Sequence, residues 1–344
     1  TRADGQLDHW RESIKALDTN GVGKKFTFLR PYQKQGVAHL HALHSLGCHP
    51  LLADEMGLGK TMQTLALLSS QTTQDLPDLV TCPASVVPVW VKEAAKHFPK
   101  LKVRILRKEE TFEQTDEPCL WVASYTQLRR HRHLLDKVEF RYAVLDEAQL
   151  IKNPKAKVTQ ACLSIEARNR LALSGTPIEN SALDLWTIFR FLMPGLLGAR
   201  KELENCLIED SAKTLQLLRR QVTPFVLRRM KNEVASELPP KLETELPCPL
   251  NDEQRKAYKA LAEGGLQAHG NDLREAIRQS SMHVFSLLTR LRQACCDLGL
   301  LPGREHLPAC GTKSDLLIEK LHDLSSSGAK VLVFSQFTTF LSLI

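Results

Sequence analysis

The sequence predicts an α/β fold in which a mostly parallel sheet carries helices on both faces. Two observations lead to this prediction. Short apolar runs alternate with helix-like runs between Phe26 and about Leu173, and a glycine-rich turn suited to phosphate follows the first apolar run. Such alternation is typical of βα units, whose crossover helices cover the sheet. Sheets of this kind hold their chemistry at the carboxyl ends of the strands.

Apolar runs of strand length define the predicted sheet, and helix-like runs lie between most of them. The strand candidates are residues 50–53, 78–82, 102–106, 119–124, 141–145 and 169–173. The helix candidates are residues 31–46, 61–70, 87–97, 126–135 and 155–165. The polar stretch 1–25 is interpreted as a leader or linker, because it shows neither pattern and ends in a glycine-rich turn.

The second half of the sequence is mainly helix-like. Helical periodicity covers residues 183–230, with breaks at Pro194-Gly195 and Pro224, and it returns over 251–298, with breaks at Gly264-Gly265 and Gly270-Asn271. A polar loop at 301–312 precedes a helix at 313–324, and the apolar run 330–334 predicts a buried strand before a last helix-like run at 337–344. Because a domain does not end directly after its first strand and helix, we expect a fragment of a longer protein.

Composition bounds the class of protein. The chain has 344 residues, of which 43% are hydrophobic and 25% charged, as in ordinary globular proteins. No apolar run approaches the roughly 20 residues that span a bilayer, and there is no signal-peptide core. We therefore expect no membrane partner and a cytoplasmic location. The net charge of +7 permits binding to nucleic acid without demonstrating it.

The cysteines and histidines do not predict a metal site. Nine cysteines occur without any Cys-X-X-Cys spacing, so we expect reduced, mostly buried thiols. The densest cluster fits no common zinc pattern and is interpreted as an ordinary helix surface. Its members are His39, His41, His44, Cys48 and His49.

The strongest functional signal is the segment 54–61, Asp-Glu-Met-Gly-Leu-Gly-Lys-Thr. Its glycine-rich core lies between an apolar run and a helix-like run, so that backbone N–H groups and a helix N-terminus point at one place. The predicted phosphate-binding residues are Gly57, Leu58, Gly59, Lys60 and Thr61. Lys60 is expected to reach the β- and γ-phosphates of a nucleotide, and Thr61 to offer its hydroxyl to Mg²⁺. Asp54 departs from the usual motif, which has Gly or Ala there.

An acidic pair, Asp146 and Glu147, follows the apolar run 141–145. Two carboxylates at a strand end beside a phosphate loop suit nucleotide hydrolysis. We assign Asp146 to Mg²⁺, through water, and Glu147 to the attacking water, with Lys60 as the third catalytic residue. The alternative is that the pair merely caps the next helix.

The motifs in this order resemble the SWI/SNF-type ATPases of helicase superfamily two, and the resemblance extends over residues 26–344. It implies a RecA-like P-loop NTPase lobe at 26–248, including a helical protrusion at about 183–230. Residues 249–344 are then the rest of the protrusion and the mainly helical, truncated start of a second RecA-like lobe. Members of the family move along double-stranded DNA at the expense of ATP. A phosphate loop that begins with Asp, as here at Asp54, is typical of the family.

Further residues acquire expected roles through this resemblance. Gln33, in Leu29-Arg30-Pro31-Tyr32-Gln33, is expected to contact adenine. The residues expected on the DNA side, or coupling it to the nucleotide, are Pro83 in motif Ia, Tyr125 and Thr126 in motif Ib, and Ser174 and Thr176 in motif III. Segments 225–231 and 238–241 match a family-specific stretch, and 331–337 resembles motif IV. Gln149 stands where many members carry His, which favours a prokaryotic member. The resemblance then implies a nucleoid-associated location, or a nuclear one in a eukaryote.

Several alternatives stay open on the sequence alone. The same motor could remodel a protein–DNA complex or recycle a stalled RNA polymerase, and a nucleotide-binding scaffold could have lost catalysis. Lys60, Asp146, Glu147 and Thr176 argue against the scaffold, since a decayed site should show a gap. Motifs V and VI are absent, so the arginine fingers that the resemblance implies are missing and we expect a weakly active fragment.

Basic and aromatic residues outside the motifs have two interpretations each. The cluster 129–133 is either a DNA contact or a solvated helix face, and Arg228, Arg229 and Lys231 either contact DNA or brace the lobe. Trp90 and Trp186 are expected in the core rather than on a base-stacking surface.

Overall fold

A computed structural model describes residues 25–70, 76–107, 112, 119–135, 137–176, 182–234, 242–269, 273–304 and 311–344, with the side chains of 265–281 excepted. Most of the predicted leader, the segment 238–241, the helix break at Gly270-Asn271 and part of the loop 301–312 lie outside the described residues. The chain divides into two compact units, Thr1–Pro239 and Pro240–Ile344. The predicted lobe boundary after residue 248 stays a prediction.

The first unit is built on a seven-stranded sheet whose described pairs are all parallel. Its strands are β1 (Leu51–Leu52), β2 (Asp78–Cys82), β3 (Lys102–Ile105), β4 (Cys119–Ser124), β5 (Glu139–Asp146), β6 (Glu166–Leu173) and β7 (Val226–Leu227). Their order across the sheet is β3-β4-β2-β5-β6-β1-β7. The predicted α/β class with a parallel sheet is therefore confirmed.

Helices cover both faces of this sheet. The first unit contains α1 (Pro31–Ser45), α2 (Lys60–Ser70), α3 (Val87–His97), α4 (Tyr125–Arg130), α5 (Arg132–Leu135), α6 (Lys157–Leu163), α7 (Ala182–Leu192), α8 (Arg200–Glu209), α9 (Ser211–Val222) and the single turn α10 (Lys231–Val234). Buried side chains of α1, α2 and α3 form one core cluster, and those of α4, α6 and α7 form the other. Neighbouring strand residues alternate between the clusters, with Leu79 in one and Val80 in the other. The strands read as continuous apolar runs because both faces are covered.

Two details of the first unit differ from the sequence prediction. The predicted helix 126–135 divides into α4 and α5 at His131, whose N–H closes the end of α4 onto the carbonyls of Gln127 and Leu128. The two-residue strand β7 was not predicted as a strand, because Val226–Leu227 is too short to show a period of two. It forms by adding to the free edge of β1 in parallel register.

The second unit is helical in its described part. Its helices are α11 (Asp252–His269), α12 (Leu273–Cys296), α13 (Thr312–Ser326) and α14 (Thr338–Leu343). Gln254 Nε2 donates to the Ala294 carbonyl oxygen at 3.0 Å, and Ser314 Oγ donates to Asp297 Oδ2 at 2.5 Å. These buried hydrogen bonds tie three of the helices and their connection together.

The strand predicted at 330–334 is wrong for the described structure. These residues form no ladder, and Leu332 and Phe334 are 82% and 87% exposed. A strand needs a neighbour to pair its backbone groups, and the described residues of the second unit contribute no strand beside it. Instead the segment runs along one side of a cavity of about 510 Å³, which is also lined by the apolar side chains of α13.

Candidate functional site

The sheet order brings the predicted motifs to one edge. In the order β5-β6-β1, the carboxyl ends of three neighbouring strands lead into the acidic pair, Ser174 and the 53–59 loop. A cavity of about 340 Å³ opens there, lined by Met56, Gly57, Gly59, Lys60, Thr61, Met62, Val86, Val89, Glu93, Asp146 and Glu147. The three predicted catalytic residues and Thr61 thus meet around one space.

The glycine-rich loop depends on backbone conformations that side chains rarely adopt. Gly57 has φ +89° and Gly59 has φ +76°, both in the left-handed region. A methyl group built on Gly59 would also lie only 2.4 Å from Gln33 Nε2. Helix α2 begins at Lys60, directly after this turn, so its free N–H groups face the cavity edge. An anion would meet both the helix N-terminus and the Lys60 side chain.

Lys60 lies among three acidic groups. Its Nζ donates to the carbonyl oxygen of Asp54 at 2.9 Å. Burial lowers the pKa of Lys60, and the nearby Glu147, Asp146 and Asp54 carboxylates oppose that shift by favouring the charged form. The ammonium group is therefore held over the loop, with partners that a phosphate could replace.

Gln33 lies against the loop from the side of α1. Its Nε2 donates to the Leu58 carbonyl oxygen at 3.2 Å, and its Oε1 accepts from the Arg30 backbone N–H at 2.9 Å. The Tyr32 hydroxyl donates to the same Leu58 oxygen at 3.2 Å. Both ends of the Gln33 amide are thus engaged with the protein, and the side chain is buried. Its expected contact with adenine stays a prediction.

Asp146 is a buried carboxylate with a fixed orientation. Its Oδ2 accepts from Trp90 Nε1 at 2.8 Å, and its Oδ1 accepts from the Glu147 backbone N–H at 3.0 Å. Burial raises the pKa of Asp146, whereas the Trp90 hydrogen bond acts in the opposite direction. Trp90 is in the core, as expected, and it also positions the acid, a role that sequence reasoning missed.

Glu147 is joined to the Ser174 region by a chain of hydrogen bonds. Gln149 Nε2 donates to Glu147 Oε2 at 2.6 Å, and Ser174 Oγ donates to Gln149 Oε1 at 2.8 Å. The Thr176 backbone N–H then donates to Ser174 Oγ at 3.1 Å. Glu147 has φ +52° and makes no side-chain hydrogen bond as a cap of the following short helix, so the capping alternative finds no support. Gln149 fixes the carboxylate, which its sequence position did not reveal.

These motifs match a known family. Residues 32–300 match the family of SNF2-related domains. The chain belongs to the SNF2-related family. Its parallel sheet is accordingly the RecA-like sheet of an SNF2-type ATPase domain, as the motifs implied.

The relatives of this SNF2-related domain come from bacteria, eukaryotes and archaea. An uncharacterized ATP-dependent helicase of Mycoplasma pneumoniae is 34% identical over 335 residues, which cover 95% of this chain and 32% of that protein. TATA-binding protein-associated factor MOT1 of Saccharomyces cerevisiae is 33% identical over 335 residues, covering 86% of this chain and 18% of MOT1. The chain spans about a third or less of these relatives. Its expected prokaryotic origin stays a prediction.

A solved structure also resembles this domain. The Sulfolobus solfataricus SWI2/SNF2 ATPase core in complex with dsDNA aligns with a TM-score of 0.59 and 34% identity. The alignment covers 92% of this chain and 68% of that one.

In this SNF2-related domain, Asp54 anchors the phosphate loop from inside. Asp54 is fully buried, and Arg229 donates from Nε to its Oδ1 at 3.0 Å and from Nη2 to its Oδ2 at 2.5 Å. Gln63 Nε2 donates to Oδ2 at 3.0 Å, and Arg229 also donates to the Tyr32 carbonyl oxygen. Arg229 therefore braces the lobe, which was one of its two interpretations. Sequence reasoning missed the pairing because its partners are far apart in the chain.

The residues expected on the DNA side differ in accessibility. Tyr125 is buried, and its hydroxyl donates to the Asp146 carbonyl oxygen at 2.8 Å. Its side chain therefore helps to fix the main chain at Asp146. Thr126 and Thr176 are exposed, Pro83 is half-buried and Ser174 is fully buried. Contact with DNA stays a prediction for all of them.

The part of the chain that the structure describes contains neither a membrane-spanning helix nor a clustered metal site. None of its helices is long and apolar enough to cross a membrane. It also holds no group of three or more His, Cys, Asp or Glu side chains arranged for a metal ion. Water-bridged Mg²⁺ at Thr61 and Asp146 would not require such a group.

Proposed function

We propose that this chain is the ATP-binding and ATP-hydrolysing part of an SNF2-type motor that moves along double-stranded DNA. The observation that supports it most is the convergence of Lys60, Asp146 and Glu147 on one cavity beside a glycine loop and a helix N-terminus. A cation for the phosphates, an acid for the metal and a second acid for water are the parts that phosphoryl transfer to water requires.

The binding step follows from the loop. The N–H groups at the start of α2 and the Lys60 ammonium would hold the β- and γ-phosphates, with Lys60 exchanging the Asp54 carbonyl oxygen for a phosphate oxygen. The Thr61 hydroxyl and Asp146 carboxylate offer the oxygen ligands that Mg²⁺ prefers, and they line the same cavity. When bound, Mg²⁺ would neutralise charge that develops on the phosphates.

The hydrolytic step is assigned to Glu147. Its carboxylate would orient a water molecule towards the γ-phosphate and accept a proton from it. Gln149 holds one carboxylate oxygen, Oε2, and leaves Oε1 for the water. Because Gln149 Oε1 also accepts from Ser174 Oγ, a movement of the Glu147 carboxylate would be passed on to the motif III segment.

Binding is tested with Lys60→Ala. We expect this variant to lose most of its affinity for Mg²⁺–ATP and Mg²⁺–ADP, measured by calorimetry, because it deletes the cation closest to the phosphates. Glu147→Gln is the matched variant within the site. It keeps the shape of the side chain, so nucleotide binding should persist while steady-state turnover of the longer protein falls by at least about 10²-fold. Unchanged affinity in the first variant, or unchanged turnover in the second, would contradict the assignments.

Action on DNA is the finer part of the proposal. It is supported by the solved archaeal SWI2/SNF2 core, which is described as a complex with dsDNA, and by the net charge of +7. Remodelling of a protein–DNA complex is the favoured task, and recycling of a stalled polymerase is the alternative with the same motor. A scaffold without catalysis is disfavoured, since each expected catalytic side chain lines the cavity.

A further inference from the structure

A second lysine lies beside the phosphate loop. A methyl group built on Gly57 would lie 3.3 Å from Cε and 3.4 Å from Nζ of Lys231. Apart from the two chain neighbours of Gly57, no other described residue comes within 4 Å of that position. Gly57 itself lines the cavity and has left-handed backbone geometry. The Lys231 ammonium therefore lies against the turn that is expected to receive phosphates.

The fold fixes this position through the main chain. Strand β7 pairs with β1, and the pairing continues beyond both strands towards the loop. The Ala53 N–H donates to the Leu227 carbonyl oxygen at 2.7 Å, and the Glu55 N–H donates to the Arg229 carbonyl oxygen at 3.0 Å. Since Arg229 is also locked onto Asp54, the start of α10 is held beside the loop on two sides. Lys231 is the next residue but one.

The Lys231 side chain makes a weak ion pair with Glu55. The Lys231 backbone N–H donates to Glu55 Oε2 at 2.7 Å, whereas its Nζ is 3.9 Å from Glu55 Oε1. Both side chains are about one-third or more exposed. An exposed pair at this distance contributes little to stability, about 0–1 kcal/mol, so the ammonium can exchange it for a stronger anion. Its backbone anchor would remain while the side chain moves.

We propose that Lys231 is a second phosphate-binding cation, which turns from Glu55 to the bound nucleotide and acts together with Lys60. This inference rests on the proposed nucleotide site. Two cations around one loop repel each other when the site holds no anion, and Lys231 is among the groups that lower the pKa of Lys60. A polyphosphate would remove this repulsion, so the benefit of Lys231 should rise with the number of phosphates.

The position along the chain gives this contact a consequence. Lys231 begins α10, four residues before the stretch 235–241 that contains the boundary between the two units. A lysine on that segment would connect the phosphates to the chain that leads into the second unit.

The test compares Lys231→Met, Lys231→Arg and Arg228→Met in this chain, with affinities for Mg²⁺–ATP, Mg²⁺–ADP and AMP measured by calorimetry at low salt. Arg228 is an exposed residue of the same segment, so its variant removes an equal charge away from Gly57. We expect Lys231→Met to weaken ATP binding about tenfold and AMP binding less than twofold. Lys231→Arg should retain most of the affinity, and Arg228→Met all of it. Thermal unfolding without nucleotide should be unchanged in all three variants.

The outcomes separate this inference from the proposed function. If the unsubstituted chain binds Mg²⁺–ATP and Lys60→Ala abolishes binding, while Lys231→Met binds as tightly as Arg228→Met, Lys231 is only a partner of Glu55 and the inference fails alone. An equal loss for ATP and AMP would also overturn it, because the effect would not follow the phosphates. If the unsubstituted chain binds no nucleotide, the proposed function and the inference both fail.

Discussion

His44 shows how burial makes a single residue sensitive to pH. It is 8% exposed, its Nε2–H donates to the Arg170 carbonyl oxygen at 3.2 Å, and its ring packs edge-on to Tyr142 with centroids 5.0 Å apart. Desolvation lowers the pKa of His44 from 6.5 to about 3. The expected helix surface was therefore wrong for this residue, whose ring is buried against Tyr142.

Because of this burial, the free energy of unfolding should decrease as the pH is lowered. Between pH 6.5 and pH 3 the unfolded chain binds a proton at His44 that the folded chain does not. The contribution of neutral His44 is thus complete above pH 6.5 and is lost as the pH falls. Between pH 6.5 and pH 5, the unsubstituted chain should lose up to about 2 kcal/mol more stability than His44→Gln does, as measured by urea unfolding at both pH values.

The exposed His133, which is not among the groups that shift the pKa of His44, gives the control. His133→Gln should lose stability in parallel with the unsubstituted chain over the same range. If His44→Gln did so as well, the burial of neutral His44 would not explain the pH dependence.

Asp54 and Arg229 show why a residue role can escape sequence reasoning. The family resemblance accounted for Asp54 as part of a motif, yet its physical partner is 175 residues away. A fully buried carboxylate without a partner would cost several kcal/mol, so the loop needs Arg229 to pair with Asp54. The pairing depends on β7 lying beside β1 in the sheet, and no local pattern encodes it.

At the scale of elements, prediction followed the length of the pattern. Strands β2 and β4, with 5 and 6 residues, were predicted with their observed bounds, and α3 likewise, because an apolar run between turns marks each of them. The two-residue β7 lay below the length at which a pattern is visible. The run 330–334 has the composition of a strand, yet composition does not supply the neighbour that a strand needs.

The contact between α1 and α2 depends on a glycine. A methyl group on Gly36 would lie 2.0 Å from Gln63 Oε1 and 2.8 Å from Arg229 Nη2, two atoms that are hydrogen-bonded to each other. Gly36→Ala should therefore push both side chains from Asp54 and destabilise the first unit by about 1–3 kcal/mol, as overpacking does. Thermal unfolding measures this, and nucleotide affinity should fall with it.

A second helical glycine supplies the opposite control. Gly264 lies in α11, and among the described residues outside its own helical turn nothing comes within 4 Å of the position of a methyl group. Gly264→Ala should be neutral or should stabilise α11 by about 0.5–1 kcal/mol, since glycine is unfavourable inside a helix. A destabilised Gly264→Ala, or an unaffected Gly36→Ala, would show that packing at Gly36 does not decide the result.

At the scale of the molecule, the candidate site lies entirely within the first unit. Its cavity is lined by Lys60, Asp146 and Glu147, but by no arginine among the described residues. The resemblance to SWI/SNF-type ATPases implies a second lobe that closes on the site and supplies arginines for the charge on the transferred phosphoryl group. The relatives described above extend well beyond the region that this chain matches, since it covers 32% and 18% of them.

Residues 1–344 should consequently hydrolyse ATP slowly, with little response to DNA. In a longer protein that contains the arginine-rich motif VI, duplex DNA should raise turnover strongly, because arginine fingers contribute about 10³–10⁵ in rate in comparable enzymes. The measurement is steady-state ATP turnover by both proteins, with and without duplex DNA, at equal Mg²⁺. The longer protein with Glu147→Gln is the control, since it should bind ATP and DNA but stay slow. Robust DNA-stimulated turnover by residues 1–344 would mean that a residue of this chain already fills the arginine's role. Arg229 would not be that residue, because its guanidinium is committed to the buried Asp54 carboxylate.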